Sequence, residues 1–256
     1  MLSPTERFSN RVENYIKYRP SYPAALIDLL ESECQLTPAS LVADIGSGTG
    51  LLTKLFLDNG NTVFGVEPNA EMRAAAETLL NAYPNFVSVA APAEATTLAA
   101  EQVDFVTAGQ AFHWFDIVAA LQEFRRILKP QGWIVLVWNM RRHDDPFQSA
   151  YEQLVKRHSQ EYSAVNHKRI NDHVLSEIMG PDMRLTTLDN EQILDYEGIK
   201  GRLLSASYAP LEGQAGHQAM LDDLLAIFEQ YQQAGRVRFT YRTNVYYTQN
   251  PQLAKA

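Results

Sequence analysis

The residues best placed to do chemistry form one run, Asp44-Ile45-Gly46-Ser47-Gly48-Thr49-Gly50, followed nineteen positions after Gly48 by Glu67. Glycines at alternate positions let a backbone turn sharply and come close to a ligand, and a helix opening behind them offers unpaired N–H groups. Such turns bind nucleotide-like cofactors. The spacing is Gly-x-Gly-x-Gly, and Leu51 stands where a dinucleotide fingerprint puts its third glycine, so the Gly-x-Gly-x-x-Gly pattern fails. Asp44, immediately before the loop, can attract an ammonium group directly or through water, but repels a pyrophosphate. This combination favours a cationic amino-acid cofactor. Glu67 closes the next strand, where a carboxylate in this topology accepts hydrogen bonds from both hydroxyls of a ribose. An adenosine is implied.

A second group of candidates follows the fourth predicted strand: His113, Trp114 and Phe115. His113 falls at the C-terminal end of that strand, the ligand-binding edge of a doubly wound sheet, as a base, an orienter of the acceptor, or a packing histidine between aromatics. Trp114 and Phe115 are substrate contacts or core. Arg141 and Arg142 follow the fifth strand, where a guanidinium would match a carboxylate, or else they belong to a solvated turn. His143-Asp144-Asp145 does not make a metal site, because consecutive side chains rarely converge on one ion, and no metal is expected. Cys34 is the only cysteine, precludes an intrachain disulfide, and reads as a buried apolar side chain. Tyr15, Tyr18 and Tyr22 form either a flap over the cofactor or a segment packed on the sheet rim.

The elements that must position these residues alternate. Leu41–Ile45 is a short apolar strand, Leu51–Asn59 a helix stopped by Gly60, Thr62–Val66 a strand, and Asn69–Tyr83 a helix rich in alanine and leucine. Phe86–Val89 and Val103–Ala108 are further strands. Asp116 caps a helix with apolar Ile117, Ala120, Leu121, Phe124 and Leu128, which Lys129-Pro130-Gln131-Gly132 stops. Trp133–Trp138 is continuously apolar, as in a strand buried on both faces of a parallel sheet. The pattern predicts an α/β fold: a doubly wound, mostly parallel sheet with right-handed crossovers. Beyond it, Pro146–Met179 holds two polar helical stretches. Arg184–Tyr196 alternates like a strand, Glu212–Ala234 is a helix, and Val237–Thr248 reads as an edge or hairpin strand, the last two strands pairing antiparallel.

One domain accounts for all 256 residues: an N-terminal flap and helix over 1–37, a cofactor-binding core over 38–140, a helical cap over 146–180, and C-terminal strands and helices completing the sheet over 181–256. A net charge of −8 disfavours nucleic acid as a partner, since such affinity rests on Lys and Arg. No apolar run is long enough to span a bilayer, and the first ten residues lack the apolar core of a secretory signal. A cytoplasmic protein, monomeric or homodimeric, is expected.

With Val42-Ala43 ahead of the loop, Gly65-Val66-Glu67-Pro68 after it, and the Pro-Gln-Gly turn downstream, the chain resembles the class I S-adenosylmethionine-dependent methyltransferases. Arg19-Pro20-Ser21-Tyr22-Pro23 and Phe112-His113-Trp114-Phe115-Asp116 resemble the small-molecule branch that includes trans-aconitate and ubiquinone-biosynthesis-like enzymes. The resemblance implies a seven-stranded Rossmann-like fold with an antiparallel strand near the C-terminal edge. It implies S-adenosylmethionine as cofactor and a small-molecule methyl acceptor, and the acceptor is expected to react through an oxygen of a carboxylic acid or hydroxyl compound. Gly46, Ser47 and Gly48 would line the methionine moiety, Glu67 the ribose, and Pro68 and Met72 the adenine. Ala93 and Glu94 match the adenine-side loop, in which Pro92 replaces a frequent aspartate. Gln110 and Ala111 would lie beside the sulfonium, and Arg19 would pair with the cofactor carboxylate. Trp114, Arg141 and Arg142 would face the acceptor. The competing readings are a non-catalytic cofactor-binding regulator and a nicotinamide-dependent oxidoreductase, the latter opposed by the failed fingerprint and by Asp44.

Overall fold

The computed structural model describes residues 17–159, 172–206 and 209–250. Seven strands form one sheet: β1 (Leu41–Ile45), β2 (Thr62–Val66), β3 (Phe86–Val89), β4 (Val103–Gly109), β5 (Leu128–Arg141), β6 (Arg184–Leu194) and β7 (Val237–Gln249), in the order β3-β2-β1-β4-β5-β7-β6. The first five are parallel, with Asp44 in register with Gly65 of β2 and Thr107 of β4. β7 runs antiparallel to both β5 and β6. The strand order reverses between β1 and β4, and the crevice above that switch point is where doubly wound sheets take ligands.

Helices α1 (Ala25–Cys34), α2 (Leu51–Asp58) and α3 (Ala70–Leu79) lie on one face, where Leu26, Leu30, Phe56 and Ala76 pack on Val42, Val63, Phe105 and Val135. On the other face α4 (Ile117–Ile127) and α6 (Asp172–Met179) cover Ala43, Val106, Leu136 and Trp138. The apolar run of β5 is therefore buried from both sides, as its sequence requires. A third cluster joins α5 (Pro146–His158), α7 (Tyr196–Leu204) and α8 (His217–Tyr231) to Val237, Phe239 and Tyr241 of β7. Burial raises the thiol of Cys34 to about 12, as befits a packing residue.

Caps fix where several helices begin. The Asp116 side chain accepts from the Ala119 N–H at 3.2 Å, Asn69 from the Met72 N–H at 2.9 Å, and Asp145 from the Gln148 N–H at 2.9 Å ahead of Pro146.

Four expectations need correction. β7 is neither an edge nor half of a hairpin: it lies between β5 and β6, and β6 is the edge. The two helices of 146–180 do not form one cap. α5 packs with Val237, Phe239 and Tyr241 of β7, whereas α6 packs on the opposite face beside Tyr246. Lys129-Pro130-Gln131-Gly132 lies inside β5, where the register with β4 shifts between Val103 and Phe105. The helix expected over Glu212–Ala234 is shorter, and α7 was not anticipated, because its glycines Gly198 and Gly201 weaken a helical pattern. Tyr15 and most of the segment between α5 and α6 lie outside the described residues.

Candidate cofactor and acceptor site

At the switch point the chain leaves β1 through Gly46 (φ +67°) and Gly48 (φ +57°) and enters α2 through Gly50 (φ +86°). These left-handed angles favour glycine, and a Cβ at Gly46 would also meet the Ala111 side chain at 2.7 Å. The Gly46 and Ser47 N–H groups donate to the Val66 carbonyl at 2.8 and 3.1 Å, so the loop is bolted to the end of β2. Glu67 then reaches back beneath the loop. Its Oε2 accepts from the Gly48 N–H at 2.9 Å and its Oε1 from the Asn69 N–H at 2.8 Å. Burial pushes its carboxyl upward, opposed by these two backbone bonds. Each oxygen keeps a lone pair for a further donor.

A cavity of about 280 Å³ opens over this arrangement. Gly46, Gly48 and Glu67 form its floor, Pro68, Asn69 and Met72 one wall, and Pro92, Ala93 and Glu94 another. Gly109, Gln110, Ala111, Trp114 and Phe115 close the side toward β4. Gln110 is held at φ +57°, rare for a side chain with a Cβ, by its N–H on the Val137 carbonyl and its Nε2 on the Asn139 carbonyl at 3.1 Å. Strained backbone of this kind concentrates at functional sites.

Ten of the expected site residues are thus brought together: Gly46, Gly48, Glu67, Pro68, Met72, Ala93, Glu94, Gln110, Ala111 and Trp114. Six lie elsewhere. Asp44 sits behind the loop, 1% exposed, with Oδ2 accepting from the Thr53 hydroxyl at 2.6 Å and Oδ1 from the Thr107 hydroxyl at 3.1 Å. It ties β1 to α2 and β4 instead of facing a ligand, and burial raises its carboxyl to about 6. The Ser47 hydroxyl is turned toward Gly65. Arg19 donates to the Ser205 carbonyl at 3.1 Å. His113 packs against Trp114 with the rings tilted by 43° and their centroids 4.8 Å apart, and is not among the lining residues. Arg141 pairs with Glu152 at 2.8 Å and lies over the Tyr151 ring, and Arg142 pairs with Asp144 beside a different groove. Both guanidiniums are committed to carboxylates that the sequence placed too far away, or too near in a turn, to be recognised as partners.

Asn69 and Gly109 belong to the wall and escaped the sequence reading. A signal existed for each: Asn69 is a strong N-cap residue three positions before Met72, and Gly109 ends a strand where close backbone approach is needed. A Cβ at Gly109 would run into the Tyr22 hydroxyl, so Tyr22 abuts this end of β4.

The residues present fit an adenosine joined to a charged amino acid. A carboxylate stands ready for a diol, the start of α2 offers positive dipole, and apolar Pro68, Met72 and Pro92 offer flat contact for a base. Comparison with known proteins agrees. Residues 43–136 match a family model described as a methyltransferase domain. An uncharacterized methyltransferase of Schizosaccharomyces pombe is 26% identical over 93% of this chain and 95% of its own length. One of Mycobacterium tuberculosis is 39% identical, over 52% of this chain and 52% of its own, so the chain matches about half the length of that relative. Among solved structures, a proposed type II methyltransferase of Anaeromyxobacter dehalogenans superposes with a TM-score of 0.68 at 22% identity, covering 91% of this chain and 98% of the other, a likeness of fold.

Proposed function

We propose that this chain, a class I S-adenosylmethionine-dependent methyltransferase, transfers the methyl group to an oxygen of a small, uncharged hydroxyl compound. The observation that carries the choice of acceptor is the cavity's charge. Among the described residues its only ionisable lining side chains are Glu67 and Glu94, while Arg141 and Arg142, the guanidiniums a carboxylate acceptor would need, are paired elsewhere. A carboxylate entering here would leave water without a cationic partner on the wall.

S-adenosylmethionine supplies an activated methyl on a sulfonium, so the driving force comes from the cofactor and the protein's part is positioning and exclusion of water. Gly46 and Gly48 let the backbone lie against the amino-acid portion, and Glu67 holds the ribose. Gln110, fixed by its two bonds to β5, closes the β4 side of the cavity. Trp114 and Phe115 present aromatic surface to the acceptor. A hydroxyl must lose its proton as it is methylated, and His113, held against Trp114, is the side chain we assign to receive it. No described helix is long and apolar enough to cross a membrane.

A screen of neutral hydroxyl compounds and of carboxylic acids, read by release of S-adenosylhomocysteine, tests this reading. Turnover confined to hydroxyl compounds, lowered by roughly 10²-fold or more in His113→Asn, is expected. Turnover of carboxylic acids alone, insensitive to His113, would contradict it.

A further inference from the structure

Few torsions set the turn that carries Glu67. Pro68 follows directly, so its own φ is locked by the ring and the backbone of Glu67 ahead of it is restricted. What remains is the ψ torsion of each residue, and each ψ sets the direction of one carbonyl. The Glu67 N–H is already spent on the Val89 carbonyl of β3 at 3.0 Å, and Pro68 has no N–H to offer. Where the two carbonyls are held therefore decides where the turn, and the carboxylate on it, comes to rest.

Both carbonyls meet one side chain. Arg73, one turn into α3, donates from Nη1 to the Glu67 carbonyl at 2.9 Å and to the Pro68 carbonyl at 3.4 Å. A charged donor makes such bonds stronger than their neutral counterparts. Nε of Arg73 lies 4.0 Å from Oε1 of Glu77, which in turn accepts from the Ser88 hydroxyl of β3 at 2.6 Å, so the guanidinium is steadied between α3 and β3. Arg73 is not among the residues that line the cavity, yet its charge is felt there. Burial pushes the Glu67 carboxyl upward, and the bonds from Asn69 and Gly48 and then the Arg73 charge oppose that push. The ionised carboxylate is the form that accepts from both hydroxyls of a diol.

We propose that Arg73 is a positioning residue for methyl transfer: it clamps the Glu67–Pro68 turn so that the Glu67 carboxylate faces the ribose of the cofactor. The inference rests on the S-adenosylmethionine reading above and adds to it a side chain that touches neither cofactor nor acceptor. Arg73→Met keeps the stem and removes every donor, releasing two carbonyls, one of them on a residue only 8% exposed. The turn then relaxes, and the carboxylate spends part of its time where it meets one hydroxyl or none.

The test is calorimetric titration of the full chain with S-adenosylhomocysteine, comparing Arg73→Met and Arg73→Lys in the wild-type background and in Glu67→Ala. Arg73→Met should weaken binding by roughly 3- to 10-fold in the wild-type background, the range of one or two net hydrogen bonds. Arg73→Lys, whose ammonium can bond one carbonyl but lacks the planar fork, should recover part of that loss. In Glu67→Ala the same substitutions should change affinity by less than about twofold, because the group that Arg73 positions is gone. Thermal melting confirms that each variant folds, and if Arg73→Met does not, Arg73→Lys carries the same comparison across the two backgrounds. Wild-type affinity in Arg73→Met, or an equal loss with and without Glu67, would overturn the proposal while leaving the cofactor site intact. Failure of the wild type to bind S-adenosylhomocysteine would overturn the cofactor reading and this inference together.

Discussion

Asp44 and Glu67 stand at or just beyond the ends of adjacent parallel strands, both nearly inaccessible to water, yet the fold gives them different work. Glu67 turns into the cavity with two backbone N–H groups on its carboxylate, whereas Asp44 turns away onto Thr53 and Thr107. Replacing Glu67 should therefore strike ligand affinity, and replacing Asp44 should alter the pH dependence of stability. The direction follows from linkage. An acid whose folded pKa is raised, here to about 6, holds its proton more tightly in the folded state, so its contribution to stability falls as pH rises from about 4 to about 6 and is flat above. Asp44→Asn does not titrate. Denaturant titrations at a series of pH values should show wild type losing stability relative to Asp44→Asn by up to about 1.4 kcal/mol per pH unit across that window. A difference that is constant with pH would contradict the assignment. Asp44 also marks a limit of the sequence: its type and position before the loop were legible, but its direction depends on two threonines, nine and sixty-three positions away.

Among the elements, the loop after β3 is held most specifically. The Thr96 N–H and hydroxyl both donate to Oε1 of Glu123 on α4, at 2.8 and 2.6 Å, and Arg126 bonds both Glu123 oxygens and the Leu98 carbonyl. The Arg126 guanidinium, aided by Thr96, holds the Glu123 carboxyl down to about 2. A depressed pKa means stability that is present above the ordinary glutamate range and is lost as pH falls from there toward 2. Glu123→Ala should cost about 1–3 kcal/mol at neutral pH by leaving buried Thr96 donors unmet. It should also weaken S-adenosylhomocysteine binding, because the same loop carries Ala93 and Glu94. Loss of stability without any loss of affinity would show that the loop is not held by this contact. The parallel strands and their helices were readable because each has a local signature: β-branched runs, Asn69 and Asp116 caps, glycines at the turns. β7 was misread because its neighbours, β5 and β6, are chosen by pairing across the chain, and nothing within thirteen alternating residues specifies which strands lie beside it.

Across the whole molecule, the N-terminal segment is fastened to the far side of the sheet. The side chains of Asn139 on β5 and Asn190 on β6 donate to the Ser21 carbonyl at 3.2 and 2.7 Å, and Gln192 donates to that of Tyr18 at 3.2 Å. Asn139 also accepts from the Thr243 hydroxyl of β7 at 2.6 Å, and its carbonyl holds Gln110. One buried residue thus links the strap, three strands and the strained turn on the β4 side of the cavity. Asn139→Ala should destabilise the fold by about 1–3 kcal/mol and raise amide exchange at residues 18–22 more than in α8, which shares none of these bonds. Uniform exchange over both regions would contradict the linkage. The strap's tyrosines were conspicuous in the sequence, but the amides that hold its carbonyls are single Asn and Gln residues without local pattern. The account stands most directly on what the glycine loop and Glu67 bind. Calorimetric titration of wild type and Glu67→Ala with S-adenosylmethionine and with NADH decides it. The prediction is micromolar-range binding of S-adenosylmethionine, weakened at least tenfold in Glu67→Ala, and no binding of NADH; the magnitudes are those of losing a charge-assisted hydrogen-bond pair, about 1.5–3 kcal/mol. Binding of NADH in its place, or S-adenosylmethionine binding indifferent to Glu67, would contradict it.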